Sequence, residues 1–253
     1  MKHLVIEQNT HGRDFFISDI HGQKAKFERA LAKVEFSPEQ GDRLFCVGDL
    51  IDRGTNNLQI LGNQKHWAYF YSIIGNHELM LIDEFEERPL NQSFGIYGSG
   101  QPTTTHGMNG GKWFAKLRQS TRERVYQQIK NLPITIEVKT VWGTTGLVHA
   151  EVPLGHTSWP SFVEAVQTST RVFEQALWGR EIIRIAHEYD ARGLDYPDTI
   201  TQPIDGVDVV VHGHTLIKTP KRIGNRLYID TGLETGELTI LSAEAIFNHR
   251  LYA

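Results

Sequence analysis

The chain has 253 residues, of which 40% are hydrophobic and 22% charged, with a net charge of −4. This is ordinary globular composition, long enough for one large core. It sets aside a disordered chain and, lacking a basic excess, a broad nucleic-acid-binding surface. The single cysteine, Cys46, rules out an internal disulfide and fits a reducing compartment. Residues 1–7 hold no signal-like apolar run and no stretch approaches 18 apolar residues, so a cytoplasmic protein without a membrane partner is expected.

In chain order, residues 14–18 (DFFIS) read as a strand that ends at Asp19-Ile20-His21-Gly22. Phe27, Leu31 and Val34 recur at i, i+4, i+7 and predict a helix. Residues 43–47 form a second strand, with Cys46 as a buried thiol inside it, ending at Gly48-Asp49-Leu50-Ile51-Asp52-Arg53-Gly54. A weaker helix follows over 57–65. Residues 69–74 make a third strand, ending at Gly75-Asn76-His77-Glu78, where a short helix starts. This βαβαβ pattern favours neighbouring parallel strands. Sites in such sheets form at the carboxyl ends of strands, so three polar clusters at three strand ends are expected to converge on one crevice.

The middle of the chain is less patterned. A Gly- and Thr-rich stretch over 95–111 reads as a loop over the site, followed by a helix-like segment with alternating charges. Residues 134–138 and 145–148 read as a strand pair, the second ending at His149. Residues 208–211 form a strand ending at His212-Gly213-His214, and 227–230, 238–241 and 245–249 add late strands. The second half is therefore expected to be richer in β structure, giving a second sheet packed on the first with helices outside, all within a single domain over 1–253.

A two-metal phosphoesterase needs two cations clamping attacking and leaving oxygens, a bridging carboxylate, nitrogen and oxygen ligands without thiolates, a proton donor, and cations for the phosphoryl oxygens. Asp19, His21, Asp49, Asn76, His149 and the His212/His214 pair supply ligand types at strand ends, with Arg53 and His77 close in sequence. Taken singly, each is a common loop, turn or surface residue. Together they cap apolar runs in an order suited to one crevice, where a charged group beyond a buried strand needs a partner.

The three clusters, in this order and spacing, resemble the three-part signature of the PPP-type metallophosphoesterases. Asn109-Gly110-Gly111-Lys112-Trp113-Phe114, Val148-His149-Ala150, Leu177-Trp178-Gly179-Arg180-Glu181, Gly213-His214-Thr215 and Tyr228-Ile229-Asp230-Thr231-Gly232 are similar to the branch of the bacteriophage lambda protein phosphatase and its bacterial relatives. The resemblance runs from about Phe15 to about Leu241. It implies an α/β fold of two mixed sheets packed as a sandwich and flanked by helices. It also implies two divalent cations, commonly manganese, with iron or zinc as alternatives, at the carboxyl ends of the strands. One would be held by Asp19, His21 and the bridging Asp49, the other by Asp49, Asn76, His149 and His214, leaving His212 as an outer neighbour. His77 would be the general acid, oriented by Asp52. Arg53, Arg180 and Asn76 would bind the phosphoryl group, and a hydroxide bridging the metals would attack in line. Ser18 and Gly179 depart from the pattern, standing where the family more often has glycine and asparagine.

The expected activity is serine/threonine protein phosphatase, with dual specificity open and a phosphorylated protein or peptide as partner. Symmetrical diadenosine tetraphosphate hydrolase and broad phosphodiesterase are the alternatives within the same chemistry. Asp52 and the 178–181 segment favour the phosphatase branch. A binding module that has lost catalysis is a third reading, disfavoured because no ligand or acid is missing.

Overall fold

The structure, a computed structural model, describes residues 2–87 and 106–248. Its strands are β1 (His3–Ile6), β2 (Asp14–Ile17), β3 (Arg43–Cys46), β4 (Phe70–Ser72), β5 (Thr135–Thr140), β6 (Gly143–Leu147), β7 (Val209–His212), β8 (Lys221–Ile223), β9 (Arg226–Tyr228) and β10 (Ile240–Ser242). They build a four-stranded sheet in the order β10-β2-β3-β4 and a six-stranded sheet in the order β1-β5-β6-β7-β9-β8. As the βαβαβ pattern predicts, β2, β3 and β4 are mutually parallel, and β10 joins them antiparallel. In the larger sheet β5 and β6 form the expected hairpin, and β6, β7 and β9 run parallel.

The apolar runs are continuous because both faces of the small sheet are covered. Phe16, Phe45 and Val47 pack with Ile136, Val138, Leu147 and Val211 of the larger sheet. Their neighbours Phe15, Ile17, Leu44 and Cys46 point the other way, into a core shared with Phe27, Ile60 and Leu79 of the helices α1 (Lys24–Lys33), α2 (Asn57–His66) and α3 (Asn76–Phe85). Each such side chain contributes roughly 1.5–3 kcal/mol by leaving water. Cys46 is buried as expected, and burial pushes its thiol well above the usual range. The charge-rich segment after the Gly-rich stretch folds as α4 (Lys112–Ala115) and α5 (Gln119–Lys130).

The second half holds six of the ten described strands, as expected, but it also holds helices that the chain-order reading did not place. Residues 159–201 fold as α6 (Trp159–Thr168), α7 (Thr170–Trp178), α8 (Glu181–Arg192) and α9 (Asp198–Thr201). The stop and start signals are local: Pro160 in the first turn of α6, the Ser169 hydroxyl accepting the Val172 N–H at 3.4 Å, and Gly193 at φ 64° ending α8. Where a strand was expected over 245–249, residues 245–247 belong to a helix, α10 (Ala243–Phe247), because Ser242 accepts the Ala245 N–H at 3.1 Å and caps it; residue 249 lies outside the described residues. Helices α8 and α9 bury Ile182, Ile183 and Ile200 against Ile223 and Tyr228, closing the outer face of the larger sheet. Strands β1 and β8 are short and were not expected from the pattern. Residues 95–105 of the Gly- and Thr-rich stretch lie outside the described residues. No described helix is long and apolar enough to cross a membrane.

Candidate metal centre and phosphate site

The loops leaving β2 and β3 are joined by main chain. The Ile20 and His21 N–H groups donate to the Asp49 carbonyl at 3.1 and 2.8 Å, Gly22 to Leu50 at 2.8 Å, and Gly54 to His21 at 2.8 Å. Glu78, fully buried, ties the third loop to the second. Its carboxylate accepts N–H bonds from Asp49 (2.9 Å), Leu50 (2.9 Å), Ile51 (3.3 Å) and Gly75 (2.8 Å). Burial and then the Asp49 charge push the Glu78 pKa up to about 8 against those donors. The contact is close: a Cβ on Gly75 would lie 2.1 Å from Asp49 Oδ1, so only glycine fits there. Helix α3 begins at Asn76, and the N–H of His77 in its first turn donates to Asp49 Oδ1 at 3.0 Å, the usual place for an anion at a helix N-terminus.

This cross-bracing holds an unusual backbone. Among the described residues, His21 (φ 49°), Asp49 (49°), Asp52 (72°), Arg53 (62°) and His214 (64°) all take the left-handed region. Such conformations cost an L-residue roughly 1–2 kcal/mol each and persist where surrounding contacts over-determine them, typically at functional sites.

Four of the expected ligands, together with His77, which the resemblance made the acid, come together in two groups that share Asp49. His21, Asp49 and His77 present ligand atoms within 4.8 Å of one another, and so do Asp49, His149 and His214. His21 donates Nδ1–H to the Ile51 carbonyl at 2.9 Å, leaving a buried Nε2 without a hydrogen-bond partner 3.6 Å from Asp49 Oδ2. His149 donates Nδ1–H to the Val47 carbonyl at 2.7 Å, so its Nε2 lone pair faces Asn76 Oδ1 at 2.9 Å and Asp49 Oδ1 at 3.4 Å. His214 Nδ1 lies 2.8 Å from the same Asn76 oxygen. Asp19 lies beside them: its Oδ2 accepts the His214 N–H at 3.0 Å, and its Oδ1 is buried without a hydrogen-bond partner. His212 does not join the cluster; its ring stacks on Tyr228 with centroids 4.8 Å apart.

The protonation states leave donors that suit a cation. Burial lowers the His21 pKa to about 4 and also lowers those of His149 and His214, so all three rings are neutral and offer lone pairs. Burial alone would raise Asp49, but His149, His77, His21 and His214 outweigh it and keep Asp49 ionised. Asp19 is pushed well above the carboxylate range by burial, then by Asp230 and Asp49. Carboxylates and imidazole lone pairs that converge in a dry site, with no thiolate among them, fit divalent transition metals. Two such ions sharing Asp49 fit both groups of donors.

The residues expected as acid and phosphate ligands lie beside this cluster. His77 Nδ1 lies 2.7 Å from Asp52 Oδ2, and its Nε2 is 3.2 Å from Arg53 Nη2. Burial would raise the Asp52 pKa, but hydrogen bonds from His106 and His77 outweigh it and lower it. Arg53 and Arg180 are exposed. The Arg180 charge still reaches the ring nitrogens of His149 and His214, where it opposes protonation.

Four residues of this neighbourhood were not singled out by their sequence positions. Asp230 lies against Asp19, and its pKa is raised to about 6 by burial and then Asp49. Glu151 accepts the Glu181 and Ile182 N–H groups at 3.2 and 3.1 Å and so anchors the start of α8 behind Arg180. His106 and Trp113 both bond to Asp52. Asp230 and Trp113 stand inside quoted motifs, whereas His106 has no sequence signal beyond being a histidine.

The family profile of the calcineurin-like phosphoesterases matches residues 15–218. Serine/threonine-protein phosphatase 1 of Salmonella typhimurium (strain LT2) is 31% identical over 228 residues, 88% of each chain. A symmetrical bis(5'-nucleosyl)-tetraphosphatase of Shewanella sp. (strain ANA-3) is 39% identical, but over only 75 residues, 27% of this chain and 25% of that one. A solved structure described as a candidate diadenosine tetraphosphatase superposes with a TM-score of 0.55 at 19% identity, over 95% of this chain and 93% of the other. Because the profile takes in most of the sandwich and every clustered ligand, the chain belongs to the calcineurin-like phosphoesterases, a family of metallophosphoesterase hydrolases.

Proposed function

We propose that this chain is a metal-dependent phosphomonoesterase acting on phosphorylated protein or peptide, with phosphoserine and phosphothreonine as its main targets. The observation that carries this reading is the Asp52–His77–Arg53 array beside the ligand cluster, in which Asp52 and His77 are buried and Arg53 is exposed. Asp19, His21 and Asp49 would hold one cation and Asp49, Asn76, His149 and His214 the other, with manganese the first choice for this donor set. When bound, such a pair supplies positive charge for the phosphoryl oxygens and makes hydroxide available near neutral pH.

The chain's own residues do the rest. Arg53 and Arg180 grip phosphoryl oxygens, a task suited to exposed, permanently charged forks. A phosphoryl oxygen bound by Arg53 takes over the donor now directed at His77 Nε2. That nitrogen then carries the proton passed to the leaving oxygen, while Asp52 fixes the opposite nitrogen as the N–H.

The local match to a dinucleotide hydrolase keeps a second reading in play, in which the leaving group is a nucleotide. One experiment separates them. The protein is stripped with chelator and assayed with and without manganese on a phosphoserine peptide, p-nitrophenyl phosphate and diadenosine tetraphosphate. Manganese-dependent phosphate release from the peptide is the expected result. Cleavage of the dinucleotide alone would overturn the protein phosphatase reading.

A further inference from the structure

Asp52 has more partners than a carboxylate needs to orient one histidine. Its Oδ2 is 2.7 Å from His77 Nδ1, Trp113 Nε1–H donates to its Oδ1 at 2.8 Å, and His106 Nε2 is 3.1 Å from both oxygens. The other ring nitrogen of His106 is 2.6 Å from Glu84 Oε2, and Arg122 stands 3.8 Å from the second Glu84 oxygen. His106 lies between two carboxylates, and although burial works against it, Asp52 and Glu84 raise its pKa to about 9, so it is cationic at neutral pH. The result is a chain of alternating charge, Arg122, Glu84, His106, Asp52, running from the surface helix α5 to the ring of His77.

The same turn grips the Arg53 backbone. Gly110 takes φ 107°, and a Cβ there would lie 2.5 Å from the Arg53 nitrogen; a Cβ on Gly111 would lie 2.3 Å from the His106 ring. Both contacts require glycine, so the turn over 106–113 is shaped to bring His106 and Trp113 onto the Asp52–Arg53 loop, whose residues already hold strained left-handed φ values.

We propose that His106 and Trp113 are positioning residues for proton transfer: by fixing both oxygens of Asp52 they hold His77 in line with the leaving oxygen. This rests on the reading of His77 as the general acid. An acid acting through geometry matters most when the leaving group is a poor one. An alkyl phosphate such as phosphoserine depends on protonation, whereas the p-nitrophenolate anion leaves without much help. A merely structural role for the turn would depress both substrates alike.

The test compares kcat and KM of manganese-loaded His106→Gln and Trp113→Phe on a phosphoserine peptide and on p-nitrophenyl phosphate, with His77→Asn as reference. His106→Gln is expected to lower kcat on the peptide by about ten- to a hundredfold, the scale of a misplaced catalytic group. The loss on p-nitrophenyl phosphate should be at most about threefold, with KM little changed on either substrate. Trp113→Phe keeps an aromatic ring but removes the N–H along with the rest of the five-membered ring, so it should show a weaker loss of the same selectivity, and it decides the matter if His106→Gln fails to fold. Combined with His77→Asn, either substitution should cost nothing further. Equal losses on both substrates, or an additive loss in the His77→Asn background, would overturn the proposal. If His77→Asn itself lacks the leaving-group selectivity, the acid assignment fails and the proposal with it; selectivity in His77→Asn without it in His106→Gln and Trp113→Phe sinks the proposal alone.

Discussion

At the scale of single residues, Gly179 shows how a departure from a family pattern is absorbed. The resemblance marks it as a departure next to Arg180, where the family more often has asparagine. In the fold, the Glu151 carboxylate occupies that space: a Cβ at 179 would meet Glu151 Oε1 at 2.4 Å and the Gln175 carbonyl at 2.5 Å. The same carboxylate accepts the N–H groups of Glu181 and Ile182, so the start of α8, and Arg180 with it, is tied to the residue two beyond His149. Gly179→Ala is therefore expected to destabilise the protein by about 1–3 kcal/mol through overpacking, read from the urea midpoint, and to weaken competitive inhibition by inorganic phosphate. Adding Glu151→Asp, which shortens the intruding side chain, should recover part of both losses. If Gly179→Ala leaves phosphate inhibition untouched, the coupling of this contact to Arg180 is wrong.

At the scale of elements, the three polar loops behave as one object because Glu78 of α3 satisfies N–H groups from two of them. Removing that carboxylate leaves up to four buried donors to be paired some other way, each worth about 1–3 kcal/mol when unpaired. Glu78→Ala is accordingly expected to cost about 3 kcal/mol or more in urea unfolding and to lower activity without touching a ligand; a shift under about 1 kcal/mol would show that Glu78 is a passenger. The opposite end of the small sheet carries a different carboxylate. Asp42 accepts the Arg13 main-chain N–H at 2.8 Å, the Arg13 guanidinium Nη2 at 2.7 Å and the Ser37 N–H at 2.9 Å. Burial alone would raise its pKa, but these donors outweigh burial and lower it. A folded pKa below the unfolded value of about 3.9 means the stabilisation is full above that value and is lost as pH falls through the folded one. Asp42→Asn should thus flatten the fall in stability below about pH 4 and lower stability at pH 7, which unfolding curves across that range would test.

At the scale of the whole molecule, the dinuclear reading makes fold stability depend on cations. Ligands come from the ends of β2, β3, β4, β6 and β7, in both sheets, so bound ions cross-link the sandwich. With metal at about a hundred times its dissociation constant the linkage is about 2.7 kcal/mol per site, or roughly 5–10 °C in Tm for each ion in a chain of this size. Chelation should lower Tm by about that much and manganese should restore it; an unchanged Tm on both treatments would count against resident metals.

The sequence by itself determined where chemistry resides. Strands buried on both faces leave uninterrupted apolar runs, and each run ends abruptly at Asp, Asn or His, so Asp19, Asp49, Asn76 and His149 stand out before any folding. The helices over 159–201 were legible too, since Phe162 and Val166, Val172 and Ala176, and Ile182 and Ala186 recur at i, i+4 on buried faces, whereas the five-residue α10 is too short to show a period and is set by the Ser242 cap. Tertiary structure also settled which of two nearby histidines faces the ligands. His212 remains in the strand and stacks on Tyr228, whereas the left-handed turn at His214 breaks the alternation and swings its ring to Asn76. The supports of Asp52 were hidden for a related reason: His106 and Trp113 lie 54 and 61 residues along the chain, and although Trp113 stands inside a quoted motif, nothing local marks either side chain as a partner of Asp52.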